Sequence, residues 1–94
     1  MPLGRPKTIP DRQEAAKEMV SRILSETPIS FSDAAKEIHK ATGIRPDRAT
    51  IMRWHRRGIG KNKLRLDAVR ITREYITSIE ALNRFLSART AAGL

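Results

Sequence analysis

Between Ser30 and Gly58 the chain carries two short amphipathic stretches, each started and stopped by its own residues. Ser30-x-x-Asp33 is a capping box, in which each side chain can satisfy the other residue's backbone N–H. The helix it opens is expected to run to about Lys40 and to bury Ala34, Ala35 and Ile38. Gly43 then offers a left-handed stop, and Ile44 is expected to plug the corner. Pro46 and Asp47 open the next helix, because proline suits a first turn and aspartate favours the positive end. This second helix is expected over about 46–57, with Gly58 ending it.

Two helices joined by a glycine-containing corner are the signature of a helix-turn-helix. The flanking segments fit one domain around it, since domains average roughly 100–150 residues and the chain has 94. Asp11–Glu26 places Ala15, Ala16, Met19, Val20, Ile23 and Leu24 on one stripe of a 3.6-residue period. Asp11 is expected to cap this helix and Pro28 to forbid its continuation. Its apolar stripe needs cover, either the rest of the domain or a second copy of the chain. Ile29–Phe31 reads as a short extended entry. After Gly58, Leu64, Leu66, Val69 and Ile71 alternate with charged residues, and Tyr75 and Ile76 follow Thr72-Arg73. That pattern predicts a small hairpin over about 64–76 with Arg73 near its tip. Thr77-x-x-Glu80 reads as a second capping box, opening a last helix from Ser78 to about Arg89 with Ile79, Leu82, Phe85 and Leu86 in the core. The expected fold class is mainly α with a small β-hairpin wing. The division is an arm over 1–10, a helix over 11–27, a winged domain over 28–90 and a frayed tail over 91–94.

Composition removes several function classes. The chain has no cysteine, so disulfides, thiolate metal sites and a cysteine nucleophile are excluded. Its two histidines, His39 and His55, stand apart with no third ligand at a recognised spacing. No glycine-rich phosphate loop or Ser/His/Asp ordering stands out, and the acids read as caps or solvated helix charges. The expectation is a non-enzyme without metal or cofactor. No apolar run nears the ~20 residues of a bilayer span, and Met1–Pro10 has no signal-peptide core. A cytoplasmic, nucleoid-associated location without membrane contact follows as the expectation.

Charge points to a partner. The net charge is +9, yet residues 45–73 alone hold ten basic residues against Asp47 and Asp67, a local excess of +8. A block of one sign implies a polyanion, with nucleic acid the leading candidate and an acidic membrane surface second. At about 100° per residue, Ile51 and Trp54 share one side of the 46–57 helix. Ala49, Arg53 and Arg56 lie opposite, flanked by Thr50 and Arg57. Small residues near the start let such a helix approach a major groove about 12 Å wide, and arginine can bond O6 and N7 of guanine together. Arg45, Arg48, Arg53, Arg56 and Arg57 are all arginine, whose planar fork lysine lacks. Trp54 reads as core rather than a base-stacking platform, and His55 as packed or solvated at the core's border. Lys61, Lys63, Arg65, Arg70 and Arg73 have two readings: charges that guard a hairpin edge, or a wing whose tip enters the minor groove.

The segments ISFSDAAKEI, DRATIMRWHRRG, AVRITREYI and TSIEALNRFL, in that order across Ile29–Ser87, resemble the winged helix-turn-helix domains of the excisionase and MerR type. ATIMRW followed by REY is especially similar to phage excisionases, and to short uncharacterised bacterial proteins of the same superfamily. The resemblance implies a recognition helix in the major groove and a wing tip in the minor groove. It implies base contact by Arg53, minor-groove contact by Arg73, and backbone contacts by Thr50, Arg56 and Arg48. Three positions depart from the pattern: Ala49 replaces an acidic base-reader, the turn Gly43–Asp47 is longer by about two residues, and Thr72 stands where glycine is common. GRPK at Gly4–Lys7 is similar to minor-groove arms such as AT-hooks, which implies a role for Arg5 and Lys7, and reads equally as a plain tail. The expected function is sequence-specific binding of double-stranded DNA, as a transcription regulator or a recombination directionality factor, with a homodimer or cooperative assembly on DNA possible. The alternatives are a protein-interaction adaptor built on the same fold and a structured-RNA binder.

Overall fold

Ser30, Asp47 and Ser78 each begin a helix in the computed structural model of the protein, which describes residues 12–94. The elements in order are α1 (Arg12–Ser25), β1 (Pro28–Ser30), α2 (Phe31–Thr42), α3 (Arg48–Arg56), β2 (Val69–Ile71), β3 (Glu74–Ser78) and α4 (Ile79–Ala92). The described chain is thus mainly helical, with one small antiparallel sheet of order β1-β3-β2. The expected arm over 1–10, with Arg5 and Lys7, and the Asp11 cap lie outside the described residues.

Local chemistry sets the helix ends. Ser30 Oγ accepts the Asp33 N–H at 3.0 Å and so starts α2. Gly43 closes it at φ +79°, its N–H donating to His39 O at 2.7 Å. The helix thus reaches Thr42, two residues past the expected end. Asp47 Oδ1 accepts the Thr50 N–H at 2.8 Å, which makes Asp47 the cap and starts α3 at Arg48 rather than at Pro46. Ile44 does not plug the corner: it is 70 % exposed. Thr42 holds the corner instead, its hydroxyl donating to Ile38 O at 2.7 Å and accepting from Ile44 N–H at 3.0 Å.

The expected hairpin is shorter and displaced. β2 and β3 pair Val69 with Ile76 and Ile71 with Glu74, leaving Thr72-Arg73 as the turn. Leu64 belongs to a separate closure, an isolated antiparallel bridge to Ile59. Residues 65–68 form no strand, and backbone groups of Leu66 and Asp67 bond outside the sheet. The Leu66 N–H donates to Trp54 O at 3.1 Å, and Asp67 O accepts the Thr77 hydroxyl at 2.7 Å. The extended entry is a third strand, with Ile29 opposite Thr77.

Thr77 is therefore a buried strand residue, and Ser78 caps α4 by accepting the Ala81 N–H at 2.8 Å. Glu80, expected in the capping box, instead accepts from the Thr27 N–H at 2.9 Å and the Thr27 hydroxyl at 3.0 Å. The last helix extends into the expected tail. α4 continues to Ala92, and Gly93 at φ +73° closes it with Leu94 N–H donating back to Arg89 O at 3.1 Å, a Schellman closure.

The core gathers Phe31 and Ala34 of α2, Ile51 and Trp54 of α3, Leu66 and Val69, and Leu82 and Phe85 of α4. Trp54 packs on Phe85 with ring centroids 5.0 Å apart. α1 packs back against this body through its C-terminal half. Ile23 is fully buried and Met19 partly, while Val20 and Leu24 of the same stripe remain exposed. Ion pairs fasten that end: Arg84 reaches Glu26 at 2.6 Å and Asp67 at 3.5 Å, and Arg22 reaches Asp67 at 3.6 Å. The Ser78 hydroxyl donates to Glu26 at 2.6 Å. Glu26, Asp67 and Glu80 are thus tertiary partners, not the solvated charges or caps expected. The Arg84 guanidinium and the Ser78 hydroxyl hold the Glu26 carboxyl below the usual glutamate range.

Candidate functional site

α3 buries Ile51 and Trp54 and turns its other side outward. Ala49, Arg53, Arg56 and Arg57 are exposed there, and with Met52 they line an open concavity of about 610 Å³. Thr50 is half-buried, its N–H committed to Asp47. That N–H, and in smaller measure the charge of Arg53, hold Asp47 below the usual aspartate range. Arg53, Arg56 and Arg57 form no salt bridge among the described residues, whereas Arg22 and Arg84 are paired.

Arg48 differs from its neighbours. It stands at the first residue of α3, where the helix dipole disfavours a cation, and it reaches Glu74 at 3.7 Å. This contact brings the Thr72-Arg73 turn beside the start of α3. Arg73 is exposed in that turn, and Thr72 takes φ +51°, the left-handed conformation for which glycine is usual. Arg70 lies over the Tyr75 ring, its guanidinium carbon 5.9 Å from the centroid.

Lys61, Lys63 and Arg65 are not on the hairpin. All three are exposed in the segment that follows α3, around the Ile59–Leu64 bridge, at the opposite end of the helix. The expected wing is therefore two separate basic features, one flanking each end of α3. The two-residue hairpin turn carries Arg73, and the post-helix loop carries the lysines. The Gly58-x-Gly60 spacing and Lys61-Asn62 are the sequence signal for a distinct turn there. Glu74, the partner of Arg48, had no signal in the sequence.

His55 is packed. Its Nδ1 donates to Leu66 O at 2.9 Å, and its ring lies 5.1 Å from Tyr75 and 6.3 Å from Phe31. His39 is exposed on α2. Among the described residues no three His, Asp or Glu side chains converge in a group able to hold a metal ion, and no described helix is long and apolar enough to cross a membrane.

Residues 33–90 match a family described as a protein of unknown function, DUF1580. The chain belongs to that family. No curated protein and no solved structure matches it. The DUF1580 region takes in nearly all of α2, then α3, the post-helix loop, the hairpin and most of α4, so the exposed arginines of α3, Arg73 of the hairpin and Lys61 and Lys63 of the loop lie inside it. α1 precedes the DUF1580 region, yet the Arg84–Glu26 and Asp67–Arg22 pairs bind the two together.

Proposed function

We propose that this protein binds double-stranded DNA in a sequence-specific manner, without catalysis, as a transcription regulator or a recombination directionality factor. In this reading α2, the corner 43–47 and α3 are a helix-turn-helix, α3 enters the major groove, and the β2–β3 hairpin is a wing at the minor groove. One observation carries it: Arg53, Arg56 and Arg57 share the exposed side of α3 and form no salt bridge among the described residues. Arginines left unpaired on a short helix, beside further unpaired cations, match the guanine edge and the phosphate rows of a duplex. An RNA duplex fits less well, because its deep, narrow major groove does not admit a helix.

The test is selection of bound sequences from a random duplex pool, followed by titration of the selected site with the parent and Arg53→Ala. Arg53 is exposed, so the variant keeps the parent's melting temperature. The expected loss is about 1–3 kcal/mol of binding free energy with relaxed preference at one base position. Equal binding of every sequence by parent and variant removes α3 as the reading element. No binding of random duplex DNA at micromolar protein in low salt, or displacement by duplex RNA in preference to DNA, refutes the proposal.

A further inference from the structure

The loop after α3 is built more firmly than a solvated connection needs to be. Ile59 and Leu64 exchange two backbone hydrogen bonds of 2.9 Å, and Lys63 N–H closes the turn on Gly60 O at 3.2 Å. Behind it, the Leu94 side chain lies so close to Gly60 that a Cβ there would come within 2.6 Å of Leu94 Cδ1. Ile59 and Leu64 are partly buried against the core, so the base is anchored while Lys61, Asn62 and Lys63 are exposed. Neither lysine forms a salt bridge among the described residues.

Lys63 adds a second, independent observation. Its φ is +54°, a left-handed backbone that glycine or asparagine takes with less strain. Asn62 stands one residue away and does not occupy that position. A lysine standing where its backbone is strained motivates a search for a use of its side chain.

The position of the loop states the use. α3 has nine residues, which at 1.5 Å each make a rod about 13 Å long, close to the ~12 Å width of a major groove. The Arg73 turn lies beside one end of that rod and the lysine turn follows the other. We infer that the Gly60–Lys63 turn is a second phosphate-binding element, acting independently of the hairpin, so that α3 is clamped from both ends onto the two backbones of one groove. This rests on the reading of α3 as the groove helix. The partner is the phosphate row itself, so the contribution of the turn is independent of base sequence.

The experiment is the salt dependence of duplex binding by the full chain, measured on the selected site and on a random duplex. Lys63→Gly lowers the slope of log K against log salt by about one, and Lys61→Ala with Lys63→Gly lowers it by about two, equally on both duplexes. Lys63→Arg keeps the parent slope. Lys63→Gly melts at or above the parent temperature, because glycine relieves the left-handed backbone. A lysine with only a structural role gives no such separation of stability from salt slope. Parent-like slopes for Lys63→Gly and the double variant overturn the clamp while Arg53-dependent binding still stands. A parent that binds neither duplex overturns both.

Discussion

Replacing Gly58 with alanine tests how the post-helix loop closes on α3. Gly58 has φ +75°, and a Cβ there meets Arg65 Cγ at 2.8 Å, Leu64 O at 2.8 Å and Lys63 C at 2.9 Å. The arginine carbon belongs to a flexible side chain and can swing away. The other two atoms are backbone, and the paired Ile59–Leu64 hydrogen bonds fix them. Alanine therefore carries two penalties. The left-handed conformation costs about 1–2 kcal/mol, and forcing backbone apart adds about 1–3 kcal/mol. Gly43 supplies the control. Its φ is +79° and nothing lies within 4 Å of its Cβ position, so Gly43→Ala carries only the first penalty. The restriction that alanine puts on the unfolded chain is common to both variants and cancels in the difference. Gly58→Ala is then expected to be less stable than Gly43→Ala by about 1–3 kcal/mol. Urea unfolding at neutral pH, followed by far-UV circular dichroism and by the single tryptophan, measures both. Equal destabilisation by the two substitutions refutes the close approach of the loop to the helix end.

Two other outcomes follow from particular contacts. Glu26 has its carboxyl pKa lowered by Arg84 and Ser78, so its contribution to stability is complete above the ordinary value of 4.5 and is lost as the pH falls through the lowered one. The urea midpoint should fall in acid below that value, and Glu26→Gln should start lower at neutral pH and show a flatter acid decline; an unchanged acid slope in the variant sinks the assignment. Trp54 is 8 % exposed and packed against Phe85, so its emission should be blue-shifted, resistant to iodide, and unaltered by added duplex. Strong quenching on DNA addition makes it a base-stacking residue instead.

What the sequence disclosed was what neighbours in the chain decide. Ser30, Gly43 and Asp47 act within four residues of themselves, and each starts or stops a helix in the structure as its type implies, although the Asp33 carboxylate of the expected box pairs with Lys36. Adjacent hydroxyls defeated the same logic at α4. The box pattern favours Thr77, yet Ser78 caps, because pairing with Ile29 draws Thr77 into the sheet. The third strand depends on residues about fifty positions apart, and the Arg84–Glu26 pair spans 58, separations at which a side chain's partner leaves no periodic trace. Lys61 and Lys63 read as hairpin residues in the sequence because charge interleaved with leucine looks the same in a strand and in a loop that dips one leucine into the core. The face of α3 was legible throughout, since helical geometry alone sorts Ile51 and Trp54 from Arg53 and Arg56.

The pairing of the cations along α3 follows from the helix itself. The N-terminal end carries partial positive charge and the C-terminal end partial negative charge. Arg48, at the first position, is therefore the cation the helix tolerates least, and it is the one that meets a carboxylate, Glu74, from the hairpin. Arg53 and Arg56 lie in the last turn and Arg57 at the cap, where the dipole favours a cation and no internal acid is needed. The arrangement leaves the guanidinium groups of the C-terminal half unneutralised at little cost to the fold, beside a lysine turn held equally open. In a chain that pairs Arg22 and Arg84 across elements, the cations at the end of α3 and in the loop beyond it form no salt bridge among the described residues. An external polyanion laid along α3 would meet its strongest attraction at that end, with the Arg48–Glu74 contact fixing the hairpin at the other.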